Sequence, residues 1–299
     1  MNFFAKTFLL SNIWLIQQNC FTPSPLPTEK TTDDFANPQK VEIKGYDDNA
    51  MEPFISRDGQ YLFFNNSNEP AEKTNLYYAR KLDKNAFQYL GEVKGANSET
   101  LDAVASMDKE NRFYFVSLRH YEKTYSSIFR GDFKNGEISN TTVVSGDFIR
   151  GERGWINMDA EIDGEGKFLY YVEAKFTGGN VPVSADLGVA HFDSGGFKKV
   201  KNTSAIFKNL NTNDLEYAPS ISADSLELFF SRFVKPARKL ILMRATRSNS
   251  SEPFGEPEVI KAAQGFVEAP SISSDGKTLY FHKREDGKFS IYKVARIEK

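Results

Sequence analysis

The chain has 299 residues, a formal net charge of −2 at pH 7 and a pI near 6.0, so it lacks the basic surplus of a nucleic-acid-binding domain. Hydrophobic residues make up 40% of it and aromatic residues 14%, including 26 Phe, which can supply the core of one large all-β domain. Mean hydropathy is −0.48 and no apolar run is as long as a bilayer-spanning helix, which argues against an integral membrane domain.

The first twenty residues are predicted to be a signal peptide or a lipoprotein signal. Lys6 precedes an apolar stretch over residues 8–16, and a polar segment then leads to Cys20, the only cysteine. Cys20 stands where a bacterial lipoprotein carries its acyl anchor, although the preceding Gln-Gln-Asn departs from a strict lipobox. We expect a protein of the bacterial cell envelope, periplasmic or an outer-membrane lipoprotein, or a secreted one. A cytoplasmic protein with an apolar N-terminus is the alternative.

Residues 21–39 are predicted to be a flexible linker. The segment contains Pro23, Pro25 and Pro27 among several Thr and Asp residues, a composition typical of extended connecting chain. The folded domain is therefore expected to span residues 40–299.

A hairpin pattern then recurs five times along the chain. In each copy an acidic residue precedes a short apolar strand, a turn follows, and a second strand rich in Leu, Tyr and Phe completes the hairpin. The copies cover residues 52–64, 102–115, 159–171, 216–230 and 268–281. The turn acids Asp58 and Asp108 are 50 residues apart, and Asp224 and Asp275 are 51 apart. A period of about 40–50 residues built from four strands is typical of β-propeller blades.

The ends of the repeat region predict how the ring closes. After the third strand of the last copy the chain stops at Lys299, which leaves no room for a fourth strand. The segment Lys40–Gly45 has no blade of its own, so we predict that it supplies this missing outer strand and covers an exposed sheet edge. The fold class is therefore all-β, a five-bladed β-propeller closed by an N-terminal strand. The longer spacing around the third copy leaves a degenerate sixth blade as an alternative.

The best-formed copy also carries a family resemblance. Glu268–Phe281 has the pattern acid-x-Pro-x-Ile-Ser-x-Asp-Gly-x-x-Leu-Tyr-Phe and is followed by Ile-Tyr, which resembles the WD40-like (PD40) repeat of TolB-type β-propellers. The second copy has Lys109 in place of Gly, and the third lacks the Pro and Ser. The resemblance implies a propeller, often in exported bacterial proteins. It implies no single activity, because such propellers range from protein-binding modules to domains attached to peptidases.

The acid that opens each copy is expected at one mouth of the central channel. These acids are Glu52, Asp102, Asp159, Glu216 and Glu268. Their offsets from the turn differ between copies, so not all of them need point inward. One interpretation is structural, in which the acids bond to the backbone of neighbouring blades. The others are binding of a ligand or of a cation such as Ca²⁺, and acid–base cleavage of a glycoside.

Basic and aromatic residues in the loops around the same mouth are further ligand-binding candidates. They are Arg119, His120, Arg153, Trp155 and Arg232. An exposed Trp beside Arg can stack against a sugar or peptide, but a Trp in this position can also cover a blade junction. The three His residues lie in different blades without the spacing of metal ligands, so no transition-metal site is predicted.

The resulting functional hypothesis is an exported propeller that binds a protein or glycan partner at the channel mouth. The alternative is a polysaccharide-active hydrolase or lyase that uses the channel carboxylates; no catalytic residue is assigned. A binding module is favoured over an enzyme. We expect a monomer without cofactor, apart from Ca²⁺ at the channel mouth, that contacts membrane only through a lipid anchor and does not bind nucleic acid.

Overall fold

The computed structural model describes residues 29–298 and begins with three short strands. They are β1 (Thr31–Thr32), β2 (Phe35–Lys40) and β3 (Glu42–Lys44). Within the predicted linker, Thr31–Thr32 and Phe35–Lys40 form strands that pair with later strands of the chain, so the flexible-linker prediction is wrong for these residues. The predicted signal segment, including Cys20, lies outside the described residues.

Five groups of strands follow one another along the chain, and consecutive strands within each group pair antiparallel. The first group is β4 (Met51–Ile55), β5 (Tyr61–Asn65), β6 (Leu76–Lys81) and β7 (Ala86–Glu92). The second is β8 (Asp102–Met107), β9 (Arg112–Ser117), β10 (Ile128–Lys134) and β11 (Glu137–Val143).

The last three groups repeat this order, from an innermost strand to an outer one. The third is β12 (Trp155–Ile162), β13 (Phe168–Lys175), β14 (Ser184–Asp193) and β15 (Gly196–Lys199). The fourth is β16 (Leu215–Ile221), β17 (Glu227–Val234), β18 (Lys239–Thr246) and β19 (Glu258–Ile260). The fifth has only β20 (Phe266–Ile272), β21 (Thr278–Glu285) and β22 (Lys288–Arg296) from this part of the chain.

Helical structure among residues 29–298 lies in loops. It consists of a 3-10 turn at Ala71–Lys73, α1 (Tyr121–Thr124) and α2 (Thr203–Ile206). Within residues 29–298 none of these helices has the length and apolar character needed to cross a bilayer.

The N-terminal strand β2 gives the fifth group its fourth strand, because it pairs antiparallel with β22. Sequence reasoning assigned this role to Lys40–Gly45, which is wrong by one strand. Glu42–Lys44 instead pairs parallel with β7 at the outer edge of the first group. The closing strand lies earlier in the chain than predicted because the buried ring of Phe35 packs edge-on against Phe229 of the fourth group, with the two ring centres 5.8 Å apart.

Side-chain hydrogen bonds join the innermost strands of different groups, whereas the hydrogen-bonded sheets themselves remain open. In three places a Ser hydroxyl accepts the N–H of an Ile in another group, over 3.0–3.1 Å. These pairs are Ile55 with Ser271, Ile162 with Ser106, and Ile272 with Ser220. The first pair joins the first group to the fifth, so the two ends of the repeat region are neighbours.

Aromatic packing fills the spaces between groups. Phe63 of the first group lies 5.0 Å from both Phe113 and Phe133 of the second, in edge-to-face contacts. All three side chains are buried, and a fully buried Phe contributes about 1.5–3 kcal/mol relative to an exposed one. The aromatic-rich second strands of the hairpins therefore supply the inter-group core.

Each innermost strand carries a β-bulge near its start, where two residues oppose one residue of the partner strand. In four of the five strands a bulge residue has a left-handed backbone, with φ between 49° and 54°. These residues are Glu52, Val104, Ala218 and Ala269. The bulges place the acids of the five copies at different levels along the strands.

Candidate functional site

Asp102 and Arg119 form a buried ion pair at the start of the second group. Arg119 Nη2 lies 2.7 Å from Asp102 Oδ1, and Ser98 donates its N–H and its hydroxyl to Asp102 Oδ2 at 2.5 and 2.7 Å. Asp102 is fully inaccessible to solvent. This acid thus fixes the chain that connects the first group to the second.

Glu216 and Arg232 repeat the same arrangement in the fourth group. Arg232 Nε lies 2.8 Å from Glu216 Oε1, and Thr212 donates its N–H and hydroxyl to the carboxylate at 3.0 and 2.7 Å. Burial raises the pKa of Glu216, and Arg232 opposes that rise. Asp102 and Glu216 are therefore each bound by an arginine of their own strand group and by the connecting chain just before it, and not by the backbone of a neighbouring group as the structural interpretation expected.

The other three acids lie near one another, and two of them line a shared cavity. Residues from all five innermost strands line this cavity, which measures about 360 Å³ counted with its open mouth, and Glu52 and Asp159 are among them. The same two carboxylic residues also line a second pocket of about 430 Å³, counted with its open mouth. The remaining walls of that pocket are mostly apolar and are formed by Asn68, Leu101, Ala103, Val104, Val116, Leu118, Ile156, Met158 and Phe176.

Asp159 is held in an environment that favours its protonated form. The residue is 4% exposed, and its Oδ2 accepts the backbone N–H of Ala218 at 3.2 Å. Burial, with the nearby carboxylates of Glu52 and Glu268, raises the pKa of Asp159 to about 8. No Lys or Arg is among the described residues that line either cavity. Asp159 therefore carries a proton at neutral pH.

Glu52 faces the same pocket from β4. Its Oε1 accepts a hydrogen bond from Asn68 Nδ2 at 3.0 Å, while its Oε2 is buried without a hydrogen-bond partner among the described residues. Burial raises the pKa of Glu52, and His282 counteracts this rise. A buried carboxylate oxygen without a partner is costly, so this atom has the character of a ligand- or water-binding group.

Glu268 accepts hydrogen bonds from two side chains. Tyr217 donates its hydroxyl to Oε1, and His282 Nε2 lies 3.3 Å from Oε2. The other ring nitrogen, His282 Nδ1, accepts the backbone N–H of Glu52 at 3.0 Å. Because Nδ1 acts as the acceptor, the proton of the ring lies on Nε2 and points to Glu268. All three side chains are buried.

A further buried acid, Glu161, follows Asp159 by two residues on β12, lines the same five-strand cavity and was not among the sequence candidates. It forms an ion pair with Arg57 Nη2 at 2.9 Å and accepts the hydroxyl of Ser106 at 2.8 Å. Burial raises its pKa, and Arg57 opposes the rise. Arg57 of the first group and Ser106 of the second both contact Glu161 of the third, so this acid links neighbouring groups, whereas Asp159 has no ion pair among the described residues.

The predicted aromatic platform lies beside the pocket wall. Trp155 is partly exposed, the Arg150 guanidinium stacks 3.7 Å from its ring centre, and Lys175 lies 5.5 Å away. Arg153 is exposed and lies 3.5 Å from Glu122. His120 is exposed, and the centre of its ring lies 5.9 Å from that of Phe129. None of these loop residues lines the acid pocket.

In the part of the chain that the structure describes, no group of three or more His, Cys, Asp or Glu side chains is arranged to hold a metal ion. The Ca²⁺ site stays a prediction, without assigned ligands.

Comparison with known proteins adds information on the fold. No protein-family model and no curated protein matches the chain. Among solved structures, the complex of BT0996 with RGII has a TM-score of 0.59 at 11% identity, and the match covers 91% of this chain and 93% of that one. The endo-arabinase of Bacteroides thetaiotaomicron has a TM-score of 0.54 at 15% identity over 87% and 97% of the two chains.

A third similar structure is Zg3597, a family 117 glycoside hydrolase of Zobellia galactanivorans. Its TM-score is 0.55 at 12% identity, and the match covers 88% of this chain and 90% of that one. At such identities the likeness concerns the fold alone. The chain has an all-β fold whose structural neighbours are the propellers of glycoside hydrolases.

Proposed function

We propose that this protein is a glycan-active hydrolase in which Asp159 and Glu52 are the acid pair. The observation that carries the proposal is the meeting of two carboxyl groups in one apolar pocket, one of them protonated at neutral pH. Two carboxyl groups with different protonation states are what glycoside cleavage requires. This reverses the preference drawn from the sequence, which put a binding module first.

The proposed roles follow from the contacts of each group. Asp159, as the protonated member, donates its proton to the glycosidic oxygen as the C–O bond breaks. Glu52, whose buried Oε2 has no hydrogen-bond partner among the described residues, acts in its ionised form as the base for water or as the nucleophile. The two groups are coupled, so they titrate as a pair, and turnover is expected to fall as the pH rises through about 8.

The similar structures support this choice over a protein-binding module. Two of the three are named as an endo-arabinase and a glycoside hydrolase. We further propose that the five strand groups are the blades of one five-bladed propeller of divergent WD40-like repeats, with Phe35–Lys40 as the closing strand. The pairing of β2 with β22 supports that closure.

The proposed activity is tested with a panel of polysaccharides that includes arabinan and β-1,3-galactan, assayed by the release of reducing ends. Asp159→Asn and Glu52→Gln are each expected to lower kcat/KM by about 10²–10⁴ on any substrate that is cleaved, because each removes one half of the acid–base pair. Glu165→Gln, at an exposed turn, is the matched control and is expected to leave turnover unchanged.

Turnover that survives both pocket substitutions would remove Asp159 and Glu52 from the mechanism. Tight binding of a glycan without cleavage, lost equally in both variants, would instead support the binding-module hypothesis.

We also propose that the protein is exported and anchored through Cys20, as its N-terminal sequence suggests. In a bacterial host, metabolic labelling with a palmitate analogue is expected to mark the wild-type protein and not Cys20→Ser. Equal labelling of both proteins, or of neither, would contradict the anchor.

A further inference from the structure

We propose that His282, Glu268 and Tyr217 form a positioning network that holds the backbone of Glu52 and so places its carboxyl group beside Asp159. The catalytic part of this inference rests on the proposed function. The geometric part does not, because it concerns contacts of the folded chain that exist whether or not a glycan is cleaved.

The network passes through three of the five strand groups. Tyr217 lies on β16, Glu268 and His282 are directly opposed residues of β20 and β21, and the N–H that His282 accepts belongs to β4. The exposed fractions of Tyr217, Glu268 and His282 are 3%, 4% and 1%. A buried polar chain of this kind has few alternative hydrogen-bond partners, so its members constrain one another.

The backbone of Glu52 needs such support because of its conformation. Its φ of 49° lies in the left-handed region, which a residue with a side chain seldom adopts unless its surroundings impose it. The N–H of this strained residue has the His282 ring as its acceptor, at 3.0 Å. Loss of that acceptor frees the bulge and, with it, the direction in which the Glu52 carboxyl points.

Side-chain hydrogen bonds of the same kind hold the bulges of the fourth and fifth strand groups. Ala269 donates its N–H to the Ser231 hydroxyl at 2.9 Å, and Ala218 donates its N–H to Asp159 at 3.2 Å. Ser231 lies opposite Tyr217 on its neighbouring strand, as His282 lies opposite Glu268. A short hydroxyl is therefore sufficient to hold a bulge, and the imidazole at this position adds a second bond to a buried carboxylate.

The hydrogen bond to Glu268 determines which ring nitrogen of His282 carries the proton. Glu268 accepts hydrogen bonds from both the Tyr217 hydroxyl and His282 Nε2. With its Nε2 proton directed at Glu268, the imidazole presents Nδ1 as the acceptor for the Glu52 N–H.

Two substitutions separate the functions of the two ring nitrogens. His282→Asn puts an amide oxygen near the position of Nδ1 and keeps an acceptor for the Glu52 N–H. His282→Gln puts an amide NH₂ near the position of Nε2 and keeps a donor to Glu268, but loses that acceptor. Tyr217→Phe removes one donor to Glu268 without changing the shape of the ring.

The readout that does not depend on activity is the titration of the Asp159 carboxyl carbon, followed by NMR on ¹³C-labelled protein and assigned with Asp159→Asn. His282→Gln is expected to lower the Asp159 midpoint by about one unit or more, because a displaced Glu52 no longer opposes its ionisation. His282→Asn is expected to keep the wild-type midpoint. A lower midpoint in His282→Asn than in His282→Gln, or the same midpoint in all three proteins, overturns the inference.

Kinetics on a cleaved glycan provide the second readout. His282→Gln is expected to lose about 10- to 100-fold in kcat with little change in KM, and His282→Asn to recover most of the loss, as for a group that orients a catalytic residue. If neither His282 variant folds, Tyr217→Phe decides, since it is expected to lower kcat at unchanged KM. Wild-type kcat in Tyr217→Phe then overturns the inference.

The two proposals fail in different ways. If Asp159→Asn and Glu52→Gln leave turnover intact while the Asp159 midpoint moves only in His282→Gln, the hydrolase mechanism is lost and the positioning network stands. If turnover needs both acids and no His282 or Tyr217 variant alters the midpoint or kcat, the mechanism stands and the network is lost.

Discussion

Replacement of Arg232 by Leu is expected to lower the free energy of unfolding by about 3–5 kcal/mol, because it leaves a buried carboxylate without its cation. Glu216 is fully buried, and the Arg232 side chain that neutralises it is 9% exposed. The two Thr212 hydrogen bonds remain in the variant but do not supply charge. The measurement is urea-induced unfolding at pH 7 of the wild-type protein and the variant.

Two comparisons make this prediction specific. Arg153→Leu removes the partner of Glu122 in an ion pair whose side chains are 55% and 57% exposed, so its cost is expected to stay below about 1 kcal/mol. The double variant Arg232→Leu with Glu216→Gln is expected to be more stable than Arg232→Leu alone, because it removes the unpaired charge. Equal costs for Arg232→Leu and Arg153→Leu would contradict the structural role of this pair.

Replacement of Asp159 by Asn is expected to stabilise the protein at neutral and alkaline pH. With a folded pKa of about 8 and an ordinary value near 3.8, the folded state binds a proton between these values that the unfolded state releases. Stability conferred by this proton is present at low pH and is lost as the pH rises through this window, by up to about 1.4 kcal/mol per pH unit. Asn keeps an acceptor for the Ala218 N–H and has no charge to bury.

The measurement for this second prediction is unfolding by urea at several pH values between about 5 and 8. The difference in stability between Asp159→Asn and the wild-type protein is expected to grow with pH. Glu165→Gln, at an exposed turn, controls for the general effect of removing one carboxylate. A constant difference across this range would mean that Asp159 is ionised in the folded state.

The repeat predicted the five hairpins well because the period and the alternation of residues were both visible. The turn residues and aromatic second strands located the five hairpins, and the structure has a strand pair at each of them. The closing strand was misplaced because Lys40–Gly45 and Phe35–Lys40 look equally extended in sequence. Tertiary contacts separate them, among them the packing of Phe35 against Phe229.

The sequence did not show which of the five acids form ion pairs with arginines and which lie at the pocket. A regular hairpin around the last turn would place Lys283 opposite Glu268, but the bulge places His282 there instead. The bulge position has no clear sequence signal, since Glu52 and Val104 both adopt the left-handed backbone. The distance from the turn does not separate the two sets, because Glu52, Asp102 and Asp159 all precede the turn residue by six positions.

The pairing of Asp102 and Glu216 with arginines carried a signal that the sequence could have provided. Arg119 follows Asp102 by 17 residues and lies two positions after Ser117, the residue opposite Asp102. Arg232 follows Glu216 by 16 residues and is itself the residue opposite Glu216. This spacing alone does not separate the two sets of acids, because Lys175 also follows Asp159 by 16 residues, and in the structure Lys175 lies opposite Trp155.

A protonated Asp159 beside Glu52 in one pocket is the central claim, and its most direct test is a ¹³C NMR titration of the Asp159 carboxyl carbon. The wild-type midpoint is expected near pH 8, and in Glu52→Gln it is expected to be lower, because a neighbouring negative charge is removed. A wild-type midpoint close to the ordinary Asp value of about 3.9, unchanged by Glu52→Gln, would contradict the claim.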